Sequence, residues 1–281
     1  MDGRYVVGVD GSLPSRAAVR WAANRALSDG RVIALVHVGE PDGGMMGGEY
    51  AQSEARAGAH LLSETAAAIQ TGDAGVIVTE SLVDGPVAWA LADFVTAHDI
   101  LVAGTHKTGF LHGRVLGSRS VQIAAAVPCT VAIIPDLDLR FRRGVVAGVD
   151  RVATAHSIVR VAAGEAEVRG EELLLVQADV PVDAARDELA MNAALAAVQS
   201  DFPHLVVRSK ISARPAAEAL LDAARGKALL VLGPGSDEPT RSLIGSVIHD
   251  VLLNVNAPVV IARPAEDRQL VGPVSDDAEA S

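Results

Sequence analysis

The chain has 281 residues, of which 49% are apolar and 21% charged, a balance typical of soluble globular proteins. At roughly 150 residues per domain, this length predicts about two domains and excludes a small disulfide-stapled fold. The formal charge is −11, and only eight residues are aromatic. Because nucleic-acid binders need cations for phosphates and aromatic rings for bases, we expect no nucleic-acid partner.

Membrane, secretion and metal-site patterns are missing from the sequence. The longest apolar stretch, residues 123–134, contains Pro128 and is shorter than the roughly 18 residues that a membrane span requires. Residues 1–9 run into a strand pattern without a signal-peptide core or cleavage site, so we expect a cytoplasmic protein. Cys129 is the only cysteine and lies among apolar residues, which predicts a buried structural thiol rather than a metal ligand.

Short apolar runs alternate with longer amphipathic segments along the first half of the chain. The predicted strands are residues 5–10, 32–38, 76–82, 100–103 and 130–134. The predicted helices are residues 15–27, 51–69, 87–97 and 118–126. Near-continuous apolar strands are buried on both faces, and crossover connections are right-handed. The pattern therefore predicts an α/β fold: a doubly wound, five-stranded parallel sheet with helices on both faces.

An internal repeat shows that this unit occurs twice in tandem. The segment at residues 6–10 returns at 146–150, and the segment at 35–38 returns at 175–178, both at an offset of 140. We predict two domains of this fold, residues 1–137 and 138–264, joined near a charged link at 136–143. Residues 265–281 carry five acids against one arginine and no apolar periodicity, which predicts a disordered acidic tail.

The first candidate site lies where the first predicted strand ends. In a doubly wound sheet, ligands bind beyond the carboxyl ends of the strands, beside the switch in strand order. Gly8, Asp10 and Ser12 fall at this point, followed by Pro14 at a helix start. Asp10 can accept hydrogen bonds from a ribose or a base. Alternatively, Asp10 or Ser12 only caps the helix.

The second candidate site is a glycine-rich loop after the fourth strand. Gly104 can bring backbone close to a ligand, while Gly117 and Ser118 open a helix whose free N–H groups can bind an anion. Cationic groups add to the loop through His106, Lys107 and Arg114. Together these features favour a phosphate site, and the alternative is a glycine-rich turn with solvated charges.

With these segments, the chain resembles a tandem universal stress protein. The resemblance rests on residues 6–12, on Val36-His37-Val38 and on the glycine loop, and it extends over roughly residues 4–264. The family's nucleotide-binding members have Gly, two residues, Gly, nine residues, Gly and then Ser or Thr. Gly104 and Gly117 keep the outer spacing of 13, but Lys107 occupies the second glycine position. A side chain thus stands where backbone approaches the phosphates in the family, although a lysine can itself contact phosphate.

The resemblance implies an adenine nucleotide, ATP, ADP or AMP, with or without Mg²⁺, in a wound sheet of the adenine nucleotide α-hydrolase type. The nucleotide-binding residues that it implies in the first domain are Gly8, Asp10, Val38, Ala103, Gly104, Thr105, His106, Lys107, Thr108, Gly109, Gly117 and Ser118. Gly148, Gly245 and Ser246 mark a weaker second site, since Asp237 and Glu238 bring acids to its loop. No catalytic residue and no metal ligand is implied.

Three functions remain open on the sequence. The first is a regulatory stress-response protein that binds ATP mainly in the first domain and hydrolyses it slowly if at all. The second is a nucleotide-free scaffold, and the third is an ATP-splitting enzyme, which lacks support because no Walker loop and no nucleophile–base pair is present. The family also implies dimers through the last strands, here residues 130–134 and 259–261. The two domains can make this pairing as a pseudo-dimer, and two chains can form a homodimer.

Overall fold

The computed structural model describes residues 3–39, 48–72, 75–105, 118–178, 184–235 and 244–263. Each half of the chain contributes five strands and four helices in alternation. The elements of the first half are β1 Tyr5–Gly8, α1 Leu13–Asp29, β2 Ile33–Gly39, α2 Gly48–Gly72, β3 Val78–Asp84, α3 Val87–Phe94, β4 Ile100–Thr105, α4 Ser118–Ala126 and β5 Thr130–Pro135. Those of the second half are β6 Val145–Gly148, α5 Val152–Arg169, β7 Leu173–Ala178, α6 Ala184–Asp201, β8 Val207–Ser212, α7 Ala216–Ala223, β9 Leu229–Leu232, α8 Ser246–Leu253 and β10 Val259–Ile261.

All ten strands belong to one sheet, in the order β3-β2-β1-β4-β5-β10-β9-β6-β7-β8. Every pairing within a half is parallel, which confirms the predicted α/β class with a parallel sheet in each half. The halves meet where β5 pairs antiparallel with β10, with Val131 opposite Ile261. In each half the strand order reverses beside the first strand, so β1 and β4 flank the switch point of the first half.

Helices cover both faces of the sheet, which explains why the strands read as near-continuous apolar runs. Val7 and Leu35 point to the face that holds α1, α2, α5 and α6. Val6 and Val36 point to the opposite face, which holds α3, α4, α7 and α8. Because neighbouring residues on a strand face opposite layers, both sets are buried, and no alternation with polar residues is needed.

The predicted helices and strands of the first half are all present, with shifted ends. Helix α3 ends at Phe94 rather than at Ala97. The carboxylate of Asp99 accepts hydrogen bonds from the backbone N–H of Thr96 at 2.9 Å and from its hydroxyl at 3.1 Å, which turns the chain out of the helix. Strand β1 ends at Gly8, two residues early, because residues 10–12 form the turn into α1.

Side chains also join the halves beside the central strand pair. The guanidinium of Arg25 on α1 donates to the carboxylate of Glu165 on α5, with Nε at 3.0 Å from Oε1. After β10, Arg263 donates to the carbonyl oxygens of Ala124 and Val127 at 2.7 and 3.1 Å. These contacts lock the end of α4 and the start of β5 to the second half.

The thiol of Cys129 lies inside this region, as predicted. It is fully buried, and burial raises its pKa to about 11, as expected for an unreactive structural thiol. Within the described residues, no helix combines the length and apolarity needed to cross a membrane. The domain limits 1–137 and 138–264 stay predictions, and the acidic tail lies outside the described residues.

Candidate functional site

A cavity of about 410 Å³ opens at the carboxyl edge of the first half, beside the switch point. We call it the switch-point cavity. Its floor is formed by the ends of β1, β2 and β4, and its walls by the start of α1, by α2 and by the start of α4. Its volume lies within the range of small-molecule sites, and its walls combine apolar side chains with a few polar groups.

The turn from β1 into α1 is held by its own side chains. Ser12 is the N-cap of α1, since its hydroxyl accepts a hydrogen bond from the Ser15 N–H at 3.2 Å. The hydroxyl of Ser15 donates to the Gly8 carbonyl at 3.3 Å and accepts from the Asp10 N–H at 3.2 Å. The sequence alternative in which Asp10 caps the helix is therefore wrong, and the other, a cap at Ser12, is confirmed.

Asp10 is left partly available by this arrangement. Its Oδ1 accepts a hydrogen bond from the Ser12 N–H at 2.9 Å, which fixes the carboxylate beside the cavity. Its Oδ2 has no hydrogen-bond partner among the described residues, and the residue is exposed. Asp10 can therefore accept a hydrogen bond from a ligand hydroxyl without giving up the bond that positions it.

The two glycines of the floor have different reasons to lack a side chain. At Gly8, a Cβ would lie 3.9 Å from the nearest Leu91 carbon, so a methyl group fits and a longer side chain would fill the cavity. At Gly104, a Cβ would lie 2.3 Å from the Pro14 carbonyl carbon and 2.5 Å from the Ser15 nitrogen. The sequence suggests that Gly104 serves approach to a ligand, whereas its missing side chain makes room for the start of α1.

His37 forms part of the cavity wall that sequence analysis quoted but did not assign. Its Nδ1 lies 2.7 Å from the Val9 carbonyl oxygen, which can only accept, so Nδ1 carries the proton and donates. The ring packs against Gly58 of α2, where a Cβ would lie 2.5 Å from Cδ2 of the imidazole. A glycine inside a helix disfavours helix formation, and at Gly58 the close approach of the His37 ring explains why a side chain is missing.

The far wall of the cavity belongs to α4. Arg119 and Ser120 of its first turn line the cavity. The hydroxyl of Ser120 donates to the Thr105 hydroxyl at 2.9 Å, and both groups are buried. This hydrogen bond connects the end of β4 to the start of α4, the two elements that flank the glycine-rich loop.

The structure brings part of the predicted site together at one place. The predicted residues that line the switch-point cavity are Gly8, Asp10, Val38, Ala103 and Gly104. Thr105 adjoins the cavity through Ser120. The predicted residues His106, Lys107, Thr108, Gly109 and Gly117 lie outside the described residues. Ser118 begins α4 as predicted. Sequence analysis missed the cavity residues of α2, namely Glu54, Ala57, Gly58 and Leu61, and those of α4, namely Arg119, Ser120 and Ile123.

The corresponding edge of the second half is built differently. Asp150 occupies the position of Asp10, but Arg151 Nε lies 3.2 Å from its Oδ2 and the Thr154 hydroxyl donates to its Oδ1 at 3.2 Å. Both carboxylate oxygens are thus engaged within the protein. Helix α6 also packs along α5, whereas in the described residues α2 makes few contacts with α1 and leaves the cavity between them.

The predicted residues of the second site are present but crowded. Gly148 ends β6, where a Cβ would lie 2.9 Å from a Leu220 methyl carbon. Gly245 precedes α8, which Ser246 opens. The backbone of Gly235 packs against Gly245, since a Cβ built on Gly235 would lie 3.2 Å from the Gly245 Cα. The N-terminus of α8 therefore adjoins backbone of its own loop.

Comparison with known proteins agrees with this architecture. The sequence model of the universal stress protein family matches residues 2–135. A universal stress protein of Mycobacterium tuberculosis is 29% identical over 286 aligned positions, covering 92% of this chain and 96% of its own length. One from Mycolicibacterium smegmatis is 29% identical with the same coverage.

The fold also has a counterpart among solved structures. The crystal structure of a universal stress protein from Archaeoglobus fulgidus superposes with a TM-score of 0.72 at 17% identity, covering 92% of this chain and 98% of its own. The alignments to both mycobacterial relatives run through the two repeats, in agreement with a tandem arrangement. In its residues, its fold and these relatives the chain is similar to universal stress proteins, and its first half, residues 2–135, matches the sequence model of that family.

Proposed function

We propose that this protein is a stress-response protein that binds one adenine nucleotide, ATP in the first instance, in the switch-point cavity of its first half. The observation that carries the proposal is the carboxylate of Asp10, whose Oδ2 accepts no hydrogen bond from any described residue, at the rim of a cavity of about 410 Å³ beside the reversal of strand order. Nucleotides bind at this place in doubly wound sheets because strand ends and helix N-termini converge there.

The cavity offers different chemistry to the parts of a nucleoside. Apolar side chains of β2, α2 and α3, such as Val38, Leu61 and Leu91, provide a surface for a base. The Asp10 carboxylate provides an acceptor for ribose hydroxyls. A charge-assisted hydrogen bond of this kind is about twice as strong as a neutral one, which favours a ligand with free hydroxyl groups.

Support for the phosphate end comes from α4. Its N-terminus lies beside the end of β4, and the first backbone N–H groups of a helix, with the positive end of its dipole, favour an anion. Arg119 adds a cationic side chain at the cavity wall. The loop residues Lys107 and Gly117 are proposed to contact the phosphates on the basis of the sequence alone. Mg²⁺ would bind through the phosphates.

We propose a regulatory ligand rather than a rapidly consumed substrate. Among the described residues of the cavity, the imidazole Nδ1 of His37 is committed to the Val9 carbonyl, and no nucleophile is hydrogen-bonded to a base. Without an activated nucleophile, hydrolysis should be slow. The second half is proposed to bind no nucleotide, because the oxygens of Asp150 are already engaged by Arg151 and Thr154. The homodimer and the cytoplasmic location stay predictions.

The test is to denature the purified full-length protein, separate the released small molecules and count nucleotide per chain. Titration of nucleotide-free protein with ATP, ADP and AMP, with and without Mg²⁺, gives the affinities. We expect about one site per chain. Asp10→Asn keeps an oxygen for the Ser12 N–H but removes the charge, so it should weaken binding about tenfold, the equivalent of about 1.4 kcal/mol.

The matched control is Asp150→Asn, the same substitution at the equivalent position of the second half. It should leave both affinity and stoichiometry unchanged. A protein that neither retains nor binds any adenine nucleotide would contradict the proposal and favour the nucleotide-free scaffold, to which the lysine at position 107 also points. Two nucleotides per chain, with one lost in Asp150→Asn, would show that the second half is functional.

A further inference from the structure

A second cavity, of about 350 Å³, lies at the junction of the two halves. We call it the seam cavity and define it by Tyr5, Trp21, Arg25, Arg31, Glu165 and Arg263. It sits at the amino ends of β1, β4 and β5, at the edge of the sheet opposite to the switch-point cavity. Because α1 belongs to the first half and α5 and the end of β10 to the second, only the assembled halves form it.

Three guanidinium groups line the seam cavity, and the carboxylates beside it are shared. Glu165 accepts hydrogen bonds from Arg25 and also lies 3.5 Å from Arg169 Nε. Asp99 is engaged by Arg4, with 2.9 Å between Oδ2 and Nη2. Glu165 is thus shared between Arg25 and Arg169, and Asp99 is paired with Arg4, so neither acid forms an ion pair with Arg31 or Arg263 among the described residues.

Arg263 shows this imbalance most clearly. Its guanidinium is largely enclosed and donates to three carbonyl oxygens, those of Ala124, Val127 and Cys129. No carboxylate lies within ion-pair distance of it among the described residues. Burial lowers the pKa of Arg263, the direction expected for a cation without a counter-ion. A buried guanidinium without an anionic partner is costly and uncommon.

The remaining cation has donors to spare. Arg31 forms an ion pair with Asp29, with 3.5 Å between Nε and Oδ2, and its guanidinium lies 5.8 Å from the centroid of the Tyr5 ring; its side chain is 31% exposed. Both of its Nη groups lack hydrogen-bond partners in the part of the chain that the structure describes. Nearby, Nε1 of Trp21 is buried and has no acceptor within that same part. Among the described residues, the cavity wall therefore has donors without a protein acceptor, and its three arginines outnumber its two carboxylates, Glu165 and Asp99.

We propose that the seam cavity is a binding site for a small oxyanion, a ligand bearing a phosphate or carboxylate group, held chiefly by Arg31 and Arg263. A guanidinium group presents pairs of N–H donors in one plane, and such a pair can bind two oxygens of one phosphate or carboxylate in a bidentate contact. The site is separate from the nucleotide site, and its ligand binds the two halves at once. Occupancy would therefore stabilise their pairing and give the protein a second input besides the nucleotide.

Tryptophan fluorescence of the full-length protein provides the test. The chain has two tryptophans, and Trp89 on α3 is exposed and lies outside the seam cavity, so W89F leaves Trp21 as the single reporter. The Arg25 guanidinium stacks 3.3 Å from the Trp21 ring centroid, so charge rearrangement at the site should change the emission. Inorganic phosphate, pyrophosphate and citrate are titrated separately against sodium chloride at equal ionic strength. We expect a saturable change in fluorescence with at least one of them. The anion that binds with the highest affinity shows whether the site prefers a phosphate or a carboxylate group.

Substitutions at Arg31 then locate the response. Arg31→Ala should weaken binding about tenfold or more, and Arg31→Lys, which keeps the charge but loses the planar donors, should fall between Ala and wild type. Arg20→Ala removes an exposed arginine from α1 outside the cavity and should have no effect. Circular dichroism checks that each variant is folded.

Two outcomes would overturn the proposal. One is a fluorescence change that does not saturate with any of the three anions, or that chloride reproduces. The other is saturable binding that Arg31→Ala and Arg31→Lys leave unchanged while Asp10→Asn weakens it, which would place the anion in the switch-point cavity. Because nucleotide binding is measured separately, failure of this site leaves the proposed nucleotide site standing, and the reverse also holds.

Discussion

The two halves share one strand order and differ at the carboxyl edge of the sheet. In the first half, Oδ2 of Asp10 has no hydrogen-bond partner within the ranges that the structure describes, and a buried pair of hydroxyls, Ser120 and Thr105, holds α4 against β4. At the equivalent positions of the second half, Asp150 is engaged on both oxygens, and Ile248 packs in the core. The two copies thus keep one framework of strands and helices, which depends chiefly on apolar burial, while the polar groups at the carboxyl edge of the sheet differ.

A second difference lies between α1 and α5. Arg25 and Glu165 are equivalent residues, separated by the repeat offset of 140, and they meet across the junction as an ion pair. Two identical copies would place like charges at this point. Divergence after duplication therefore allows the halves to pair with each other and disfavours pairing of a half with its own kind.

Charge reversal at this pair gives the largest expected effect. Arg25→Glu places two carboxylates together in a largely buried position and removes the cation stacked on Trp21, so the free energy of unfolding should fall by about 3–5 kcal/mol. Urea denaturation measures the loss. Arg20→Glu makes the same charge change on the exposed side of α1 and should cost little. The double variant Arg25→Glu with Glu165→Arg should recover most of the stability, and no recovery would contradict the pairing argument.

Equivalent glycines at the ends of β4 and β9 provide the next test. Gly104→Ala drives a methyl group into the Pro14 and Ser15 backbone at 2.3–2.5 Å, which should cost about 3 kcal/mol because backbone cannot rotate away. At Gly233, the nearest atom would be the terminal Ile158 carbon at 2.8 Å, a flexible group, so Gly233→Ala should cost less than about 1 kcal/mol. Equal losses in thermal or urea denaturation would contradict this explanation of Gly104.

The sequence predicts much of this architecture because its signals are local. Near-continuous apolar runs define buried parallel strands, and Pro14 after Ser12 places the start of α1. Asp10, Gly8 and Val38 fall together because carboxyl ends of parallel strands share an edge, a consequence of topology alone.

Contacts between distant segments could not be predicted in this way. Both aspartates follow a strand in the sequence, and only the orientation of the Arg151 and Thr154 side chains shows that both oxygens of Asp150 are engaged. The seam cavity needs α1, α5 and the residue after β10 to converge, three segments up to 240 residues apart, and no local pattern encodes that meeting. Mid-helix glycines do not resolve this either, because Gly58 lies against His37 whereas Gly164 of α5 has no atom within 4 Å of a built Cβ.

Acidification should destabilise the first half through Asp99, whose carboxylate is held by Arg4 and Thr96. Burial alone would raise the pKa of Asp99, but hydrogen bonds from Arg4 and Thr96 outweigh it and hold the pKa at about 2. The equivalent residue of the second half is Ala228. A carboxyl group whose pKa is depressed on folding stabilises the protein above its unfolded pKa of about 3.9, and this contribution, about 2 kcal/mol, is lost as the pH falls toward 2.

Comparison of wild type with Asp99→Asn isolates that contribution. The difference in urea midpoint should be constant at neutral pH and should shrink between about pH 4 and pH 2, where Asp99 becomes protonated in the folded protein. A difference that persists unchanged at pH 2 would mean that Asp99 acts through packing or hydrogen bonds alone and not through its charge.

The smallest expected effect concerns the hydroxyl pair that distinguishes the two copies. Ser120→Ala removes the hydrogen bond that Ser120 donates to the buried Thr105 hydroxyl, so the start of α4 should lose its fixed position beside the cavity. Nucleotide affinity should fall about fivefold, the equivalent of about 1 kcal/mol, while Thr105→Ser, which keeps the hydroxyl, should bind almost as wild type. Ser157→Ala removes a comparable hydroxyl from the second half, where it donates to the Thr154 carbonyl, and should leave affinity unchanged. If Ser120→Ala also binds as wild type, the pair stabilises the fold without positioning α4, and the difference from Ile248 reflects only how each copy fills its core.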